Sequence, residues 1–149
     1  MREALLECVV DASVGVKLFL VEPLSDRADA LFARLVTEPL AHFYVPDLFF
    51  AECANVLWKY VRSFGYPAES ARQDVADLTA LALRTVSVAD LVADALEIAM
   101  AHEVTVYDAC YVALAHRLGL PLITADEALR RKLEGTPYDV RWLGDFPFF

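Results

Sequence analysis

The chain alternates short apolar runs with longer segments whose apolar residues recur at helical spacing, and few folds accept that pattern. The first run, residues 5–10, ends at Asp11, and further runs at 42–45, 85–88, 120–124 and 140–143 also read as strands. Between the first two, Ser13 opens a short helix through Leu20. Pro23 and Ser25 start another, in which Leu24, Ala28, Leu31, Phe32 and Leu35 repeat at i+3 and i+4. Helices over 47–64 and 67–83 precede the third strand. Asp90 is expected to cap a helix to His102, and Thr105 one to Leu118 that closes at Gly119. A last helix covers 126–133. Strands that alternate with helices pair in parallel, because the crossover returns each strand to the same edge of one sheet. The expected fold is therefore α/β: three layers, α/β/α, around a central, mostly parallel sheet of about five strands, in a single domain over 1–149.

Composition agrees with such a core. Of 149 residues 58% are hydrophobic, with five glycines and seven prolines, which excludes a disordered or low-complexity chain. Mean hydropathy is high at +0.41, yet no stretch approaches the roughly 18–20 apolar residues of a bilayer span. Met1-Arg2-Glu3 precedes only a short apolar run, interrupted at Glu7, so neither a secretory signal nor a membrane location is expected. The helix over 47–64 is apolar almost all round and should be buried on several sides or face a second subunit. Cys8, Cys53 and Cys110 are odd in number and widely spaced in apolar runs, as reduced thiols of a cytoplasmic protein would be.

Four acids carry the chemistry. In parallel sheets ligands collect outside the carboxyl ends of the strands, and Asp11 and Asp126 stand where the first and fourth strands run out. Each has a plain alternative. Asp11 can cap the following helix; Thr105-x-x-Asp108 and Thr124-x-x-Glu127 resemble capping boxes; Asp126 has Arg130 four residues on. Glu52 is harder to explain, because its helical neighbours Leu48, Phe49, Asn55 and Val56 include no base. A bare buried carboxylate is prohibitive. Clustered carboxylates repel unless a cation joins them, and an all-oxygen set suits the hard ions Mg2+ and Mn2+. Ser13, Asn55 and Thr124 are spaced to support such ligands.

The strings Val9-Val10-Asp11-Ala12-Ser13, Pro46-x5-Glu52-x2-Asn55, Tyr107-Asp108-Ala109-x-Tyr111-Val112-Ala113-Leu114-Ala115 and Leu122-Ile123-Thr124-Ala125-Asp126 together resemble the PIN domain family. They look most like the VapC-type toxins of prokaryotic toxin–antitoxin pairs. The resemblance implies a Mg2+-dependent endoribonuclease that leaves 5′-phosphate and 3′-hydroxyl ends. It also implies a homodimer, and a cognate antitoxin whose tail fills the groove. Asp11, Glu52, Asp108 and Asp126 match the family's acids, and Ser13 and Thr124 its hydroxyl positions. In the implied mechanism Asp11, Asp108 and Asp126 hold the ion, while Glu52 binds through water or takes a proton.

The formal charge of −9 is unusual for an RNA-binding protein, and setting aside the four acids leaves −5. Any grip on RNA must be local, with Lys17, Lys59, Arg62 and Arg130-Arg131-Lys132 as candidates; a solvated face explains each equally simply. His42, His102 and His116 lack ligand spacing. Trp58, Tyr60, Phe64 and Tyr66 suit packing at a subunit contact better than base stacking. Trp142, Phe146, Phe148 and Phe149 suit a terminus folded onto the body. The competing reading is a catalytically silent PIN-fold module that binds RNA or protein. A receiver domain would want an acid pair near Asp11 and a late lysine, and a dehalogenase-like phosphatase an aspartate where Ser13 stands.

Overall fold

The computed structural model describes residues 7–147. β1 (Glu7–Val10) buries Cys8, Val9 and Val10 in succession. Successive side chains point to opposite faces, so this strand is covered on both. The chain continues through α1 (Ala12–Gly15), a 3₁₀ turn at Val16–Leu18, α2 (Ser25–Thr37) and β2 (His42–Pro46). Next come α3 (Leu48–Phe64), α4 (Ala68–Ala80) and β3 (Leu83–Val86). After a 3₁₀ turn at Val88–Asp90 follow α5 (Val92–His102), α6 (Val106–Leu118) and β4 (Leu122–Thr124). Then come α7 (Glu127–Lys132), β5 (Val140–Trp142) and a 3₁₀ turn at Leu143–Asp145. No helix among the described residues is long and apolar enough to cross a membrane.

The five strands form one sheet in the order β3-β2-β1-β4-β5, and every pairing is parallel. β1 is central. The chain winds outward from it to β2 and β3, then returns and winds the other way through β4 and β5. That reversal puts a topological switch point between β1 and β4, where connections leave in opposite directions and open a crevice at the strand ends. Val9 pairs with Leu122 and Val10 with Ile123, so the residues just beyond, Asp11 and Thr124, emerge side by side.

Several expected boundaries move. The helix expected through Leu83 ends at Ala80, and the strand expected at 85–88 begins two residues earlier, at Leu83, in register with Phe43. Leu78, Leu81 and Leu83 satisfy a helical step and then a strand step, and the amide of Leu81 turns back to the Leu78 carbonyl to end the helix. Asp90 does not cap α5; it closes the 3₁₀ turn that Ser87 caps, and Leu91 is the helix N-cap. β4 starts at Leu122 rather than 120, since Pro121 lacks an amide for the ladder. Leu5 and Leu6 of the first expected strand lie outside the described residues, as do Phe148 and Phe149. Phe146 does fold onto the body: it is buried, its carbonyl accepts from Arg27, and Arg34 lies 5.0 Å over its ring.

Candidate active site

Asp11 is the buried floor of the crevice, with only 5% of its surface exposed. It is the N-cap residue of α1 by its backbone, without a side-chain cap hydrogen bond, and its Oδ1 accepts the Ser13 hydroxyl at 2.5 Å. Ser13 Oγ in turn accepts the amide of Ala125 at 2.9 Å and stands 3.4 Å from Thr124 Oγ1. Thr124, fully buried, accepts the amide of Asp126 at 3.0 Å. Two hydroxyls thus stitch the end of β1 to the end of β4 and hold Asp11 and Asp126 across one gap. Asp126 is itself the N-cap of α7, its Oδ1 accepting from Leu129 at 3.2 Å, so it has a structural role besides any other. The expected partner Arg130 stands 3.8 Å from Glu127.

α3 and α6 bring the other two acids. The amide of Asp108 in the first turn of α6 donates to the capping hydroxyl of Thr105 at 3.1 Å. Glu52, half-buried on α3, receives the Tyr111 hydroxyl on Oε1 at 2.7 Å. Tyr111 follows Asp108 by three residues, so one face of α6 presents both. The four acids line a cleft of about 260 Å³ together with Ser13, Asn55 and Tyr111, and neither lysine nor arginine appears in its wall. Thr124 lies beneath that wall.

The crowding is electrostatic as well as geometric. Burial pushes the Asp11 carboxyl up to about 7, and the charge of Asp108 adds to this, against hydrogen bonds from Ser13, Thr124 and the Val14 amide. Burial also raises Asp108, and Asp126 reinforces it, while Thr105 and Lys132 act in the opposite sense. Glu52 is raised by burial; Tyr111 lowers it and Asp108 raises it. Asp108 is therefore the hub, felt by Asp11 and Glu52 and itself feeling Asp126. As the side chains stand, no three Asp, Glu, His or Cys among the described residues form a group that could hold a metal ion. The donor set is nonetheless all oxygen, with no cation in the cleft wall, which is the chemistry a hard divalent cation completes.

The sequence singled out all four acids but not Tyr111. Its signal was the i+3 step from Asp108. The three histidines lie apart from the cleft: His102 and His116 set their rings edge-on to Tyr138, and His42 lies 3.5 Å from Arg84. The three cysteines are free and buried.

Comparison with known proteins agrees with this architecture. Ribonuclease VapC3 of Pyrobaculum aerophilum is 36% identical over 129 residues, 85% of this chain and 95% of that protein. Mycobacterium tuberculosis VapC20, described as a sarcin-ricin loop cleaving toxin, shares the fold with a TM-score of 0.64 at 20% identity. That match covers 83% of this chain and 93% of the other. A toxin–antitoxin complex from Klebsiella pneumoniae gives a TM-score of 0.62 at 16% identity, over 90% of this chain and 95% of its counterpart. The PIN domain pattern itself matches residues 8–133, from the first strand through the last site acid and beyond α7, and the chain belongs to the PIN domain family.

Proposed function

We propose that this protein is a divalent-metal-dependent endoribonuclease, the toxin of a VapBC-type pair acting in the cytoplasm. The observation that carries this reading is the meeting of Asp11, Glu52, Asp108 and Asp126, from four separate elements, in a cleft without a cation in its wall. Ribonuclease activity in the 36% identical VapC3 supports it. Asp11, Asp108 and Asp126 would hold Mg2+, with Mn2+ as a substitute. When bound, the ion supplies charge stabilisation for a phosphodiester and a more acidic water.

The remaining work falls to the chain. Ser13 and Thr124 keep Asp11 and Asp126 at a fixed separation, so the ligands need little reorganisation. Tyr111 occupies Glu52 Oε1, which leaves Oε2 as the acceptor for the attacking water's proton. Burial, which raises Glu52, makes that oxygen a better base than an exposed carboxylate. Asn55, one turn from Glu52, supplies an amide for ordering substrate or water. The products are a 5′-phosphate and a 3′-hydroxyl.

An antitoxin partner is supported by the toxin–antitoxin complexes among the structural relatives. A homodimer is supported by Val92, Leu96 and Met100, which expose an apolar stripe along α5 at i+4 spacing. The decisive experiment is Asp108→Asn, which removes the hub charge without volume. It is expected to abolish RNA cleavage and growth arrest while leaving the thermal melt cooperative. Cleavage by the variant in Mg2+, or equal cleavage by the wild type in EDTA, overturns the reading; no cleavage by the wild type in Mg2+ or Mn2+ leaves a silent PIN module.

A further inference from the structure

We propose that Lys132 holds a phosphate of the RNA adjacent to the one being cut, in a second cavity that adjoins the acidic cleft. This rests on the ribonuclease reading above. The cavity, about 140 Å³, lies where the end of α5, the start of α6 and α7 meet, and Asp108 and Asp126 form the wall it shares with the cleft. The cleft has no lysine or arginine in its wall; this neighbour has Lys132.

Lys132 is exposed, and its ammonium is tethered at one point. Its Nζ donates to the carbonyl of Glu103 at 2.8 Å, at the C-terminal cap of α5, where the backbone takes the left-handed φ of +56°. An ammonium has three donors, so this tether leaves two for an incoming oxygen. Its positive charge already reaches Asp108. Four of the other cations suggested by the sequence make contacts of their own, and the remaining one, Lys59, does not line this cavity. Lys17 pairs with Glu22 at 3.0 Å, Arg131 with Glu127 at 2.7 Å, and Arg130 lies 3.8 Å from that same carboxylate. Arg62 lies over the Trp58 ring.

The physical need is plain. A polyanion entering past four carboxylates is repelled along its whole length, whereas a bound ion offsets that repulsion only where it sits. The phosphate on the α5–α7 side of the cut then meets Asp108 and Asp126, and among the described residues lining that cavity Lys132 supplies the positive charge. A fixed cation there sets the position of the strand as well as its affinity, because phosphate contacts fix the register of a nucleic acid on a protein.

The test uses Asp11→Asn as parent, which removes a cleft acid but leaves the Lys132 cavity unaltered, and measures its binding to a short single-stranded RNA from low to high salt. Adding Lys132→Gln is expected to weaken binding at least about fivefold at low salt. It should also flatten the slope of log affinity against log salt by about 0.7, the value for one phosphate contact on a single strand. Lys132→Arg should restore both. Unchanged affinity and slope in Lys132→Gln overturns the proposal. So does equal loss in the Gln and Arg variants, which would mark Lys132 as a tether for Glu103 alone. If neither the parent nor the wild type with Mg2+ binds or cleaves RNA at any salt, the ribonuclease reading falls together with this one; a failure limited to the Lys132 comparison leaves that reading intact.

Discussion

A carboxyl group buried beside other acids holds its proton more tightly in the folded chain than in the unfolded one, and Asp11 does so in this protein. Its carboxyl is pushed up to about 7 from 3.8, chiefly by burial. Between those values the folded state carries a proton that the unfolded state has lost, so this group makes the metal-free protein more stable as pH falls from about 7 to 4. Above pH 7 the carboxylate is charged in both states and its full cost remains, on the order of a few kcal/mol. Asp11→Asn is therefore expected to raise the melting temperature in EDTA at pH 7.5 and to change it little at pH 4; an unshifted or lower melt at pH 7.5 counts against this account. Tyr111→Phe removes the donor to Glu52 Oε1 in a half-buried setting, a loss of about 1–3 kcal/mol. It should lower kcat roughly tenfold while KM stays near wild type, as steady-state cleavage assays would show. The need for a partner to Glu52 was legible in its base-free helical neighbours. The partner's identity was not, because Tyr111 lies 59 residues away and meets Glu52 only once α3 and α6 have docked.

Elements set the distance between these residues, and Gly15 is where two of them come closest. A methyl group there would stand 2.5 Å from Phe49 Cζ and 3.3 Å from Cys53 Sγ. Phe49 is fully buried and edge-on to Phe50 at 5.4 Å, so it has little room to yield. Gly15→Ala is expected to cost about 1–3 kcal/mol in a urea melt. It should also reduce activity, because parting α1 from α3 moves Asp11 and Ser13 away from Glu52. Element type was legible throughout: each expected strand and helix with described residues has a counterpart. Boundaries were less so where one residue serves two periodicities, as Leu81 does before β3. β3 is an edge strand with half-buried Leu83 and Val86 around exposed Arg84 and Thr85, and it lacks the clean alternation that would have marked its start.

For the molecule as a whole, charge and topology pull in different directions. A net charge of −9 repels RNA, and the site acids account for less than half of it. RNA binding should accordingly be weak and fall steeply with salt; tight, salt-insensitive binding to random RNA would contradict this. The sheet order explains why the acids nonetheless meet. Asp11 and Asp126 are far apart in sequence, yet β1 and β4 are neighbours that flank the switch point; the alternation of strands and helices pointed only to the carboxyl ends of the strands. β4 lies beside β1 on the side away from β2 and β3, and it follows both in the chain. A nascent chain therefore carries Asp11, Glu52 and even Asp108 out of the ribosome before the wall that holds Thr124 and Asp126 exists. By this order of synthesis, the four acids can meet only once nearly the whole chain has been made.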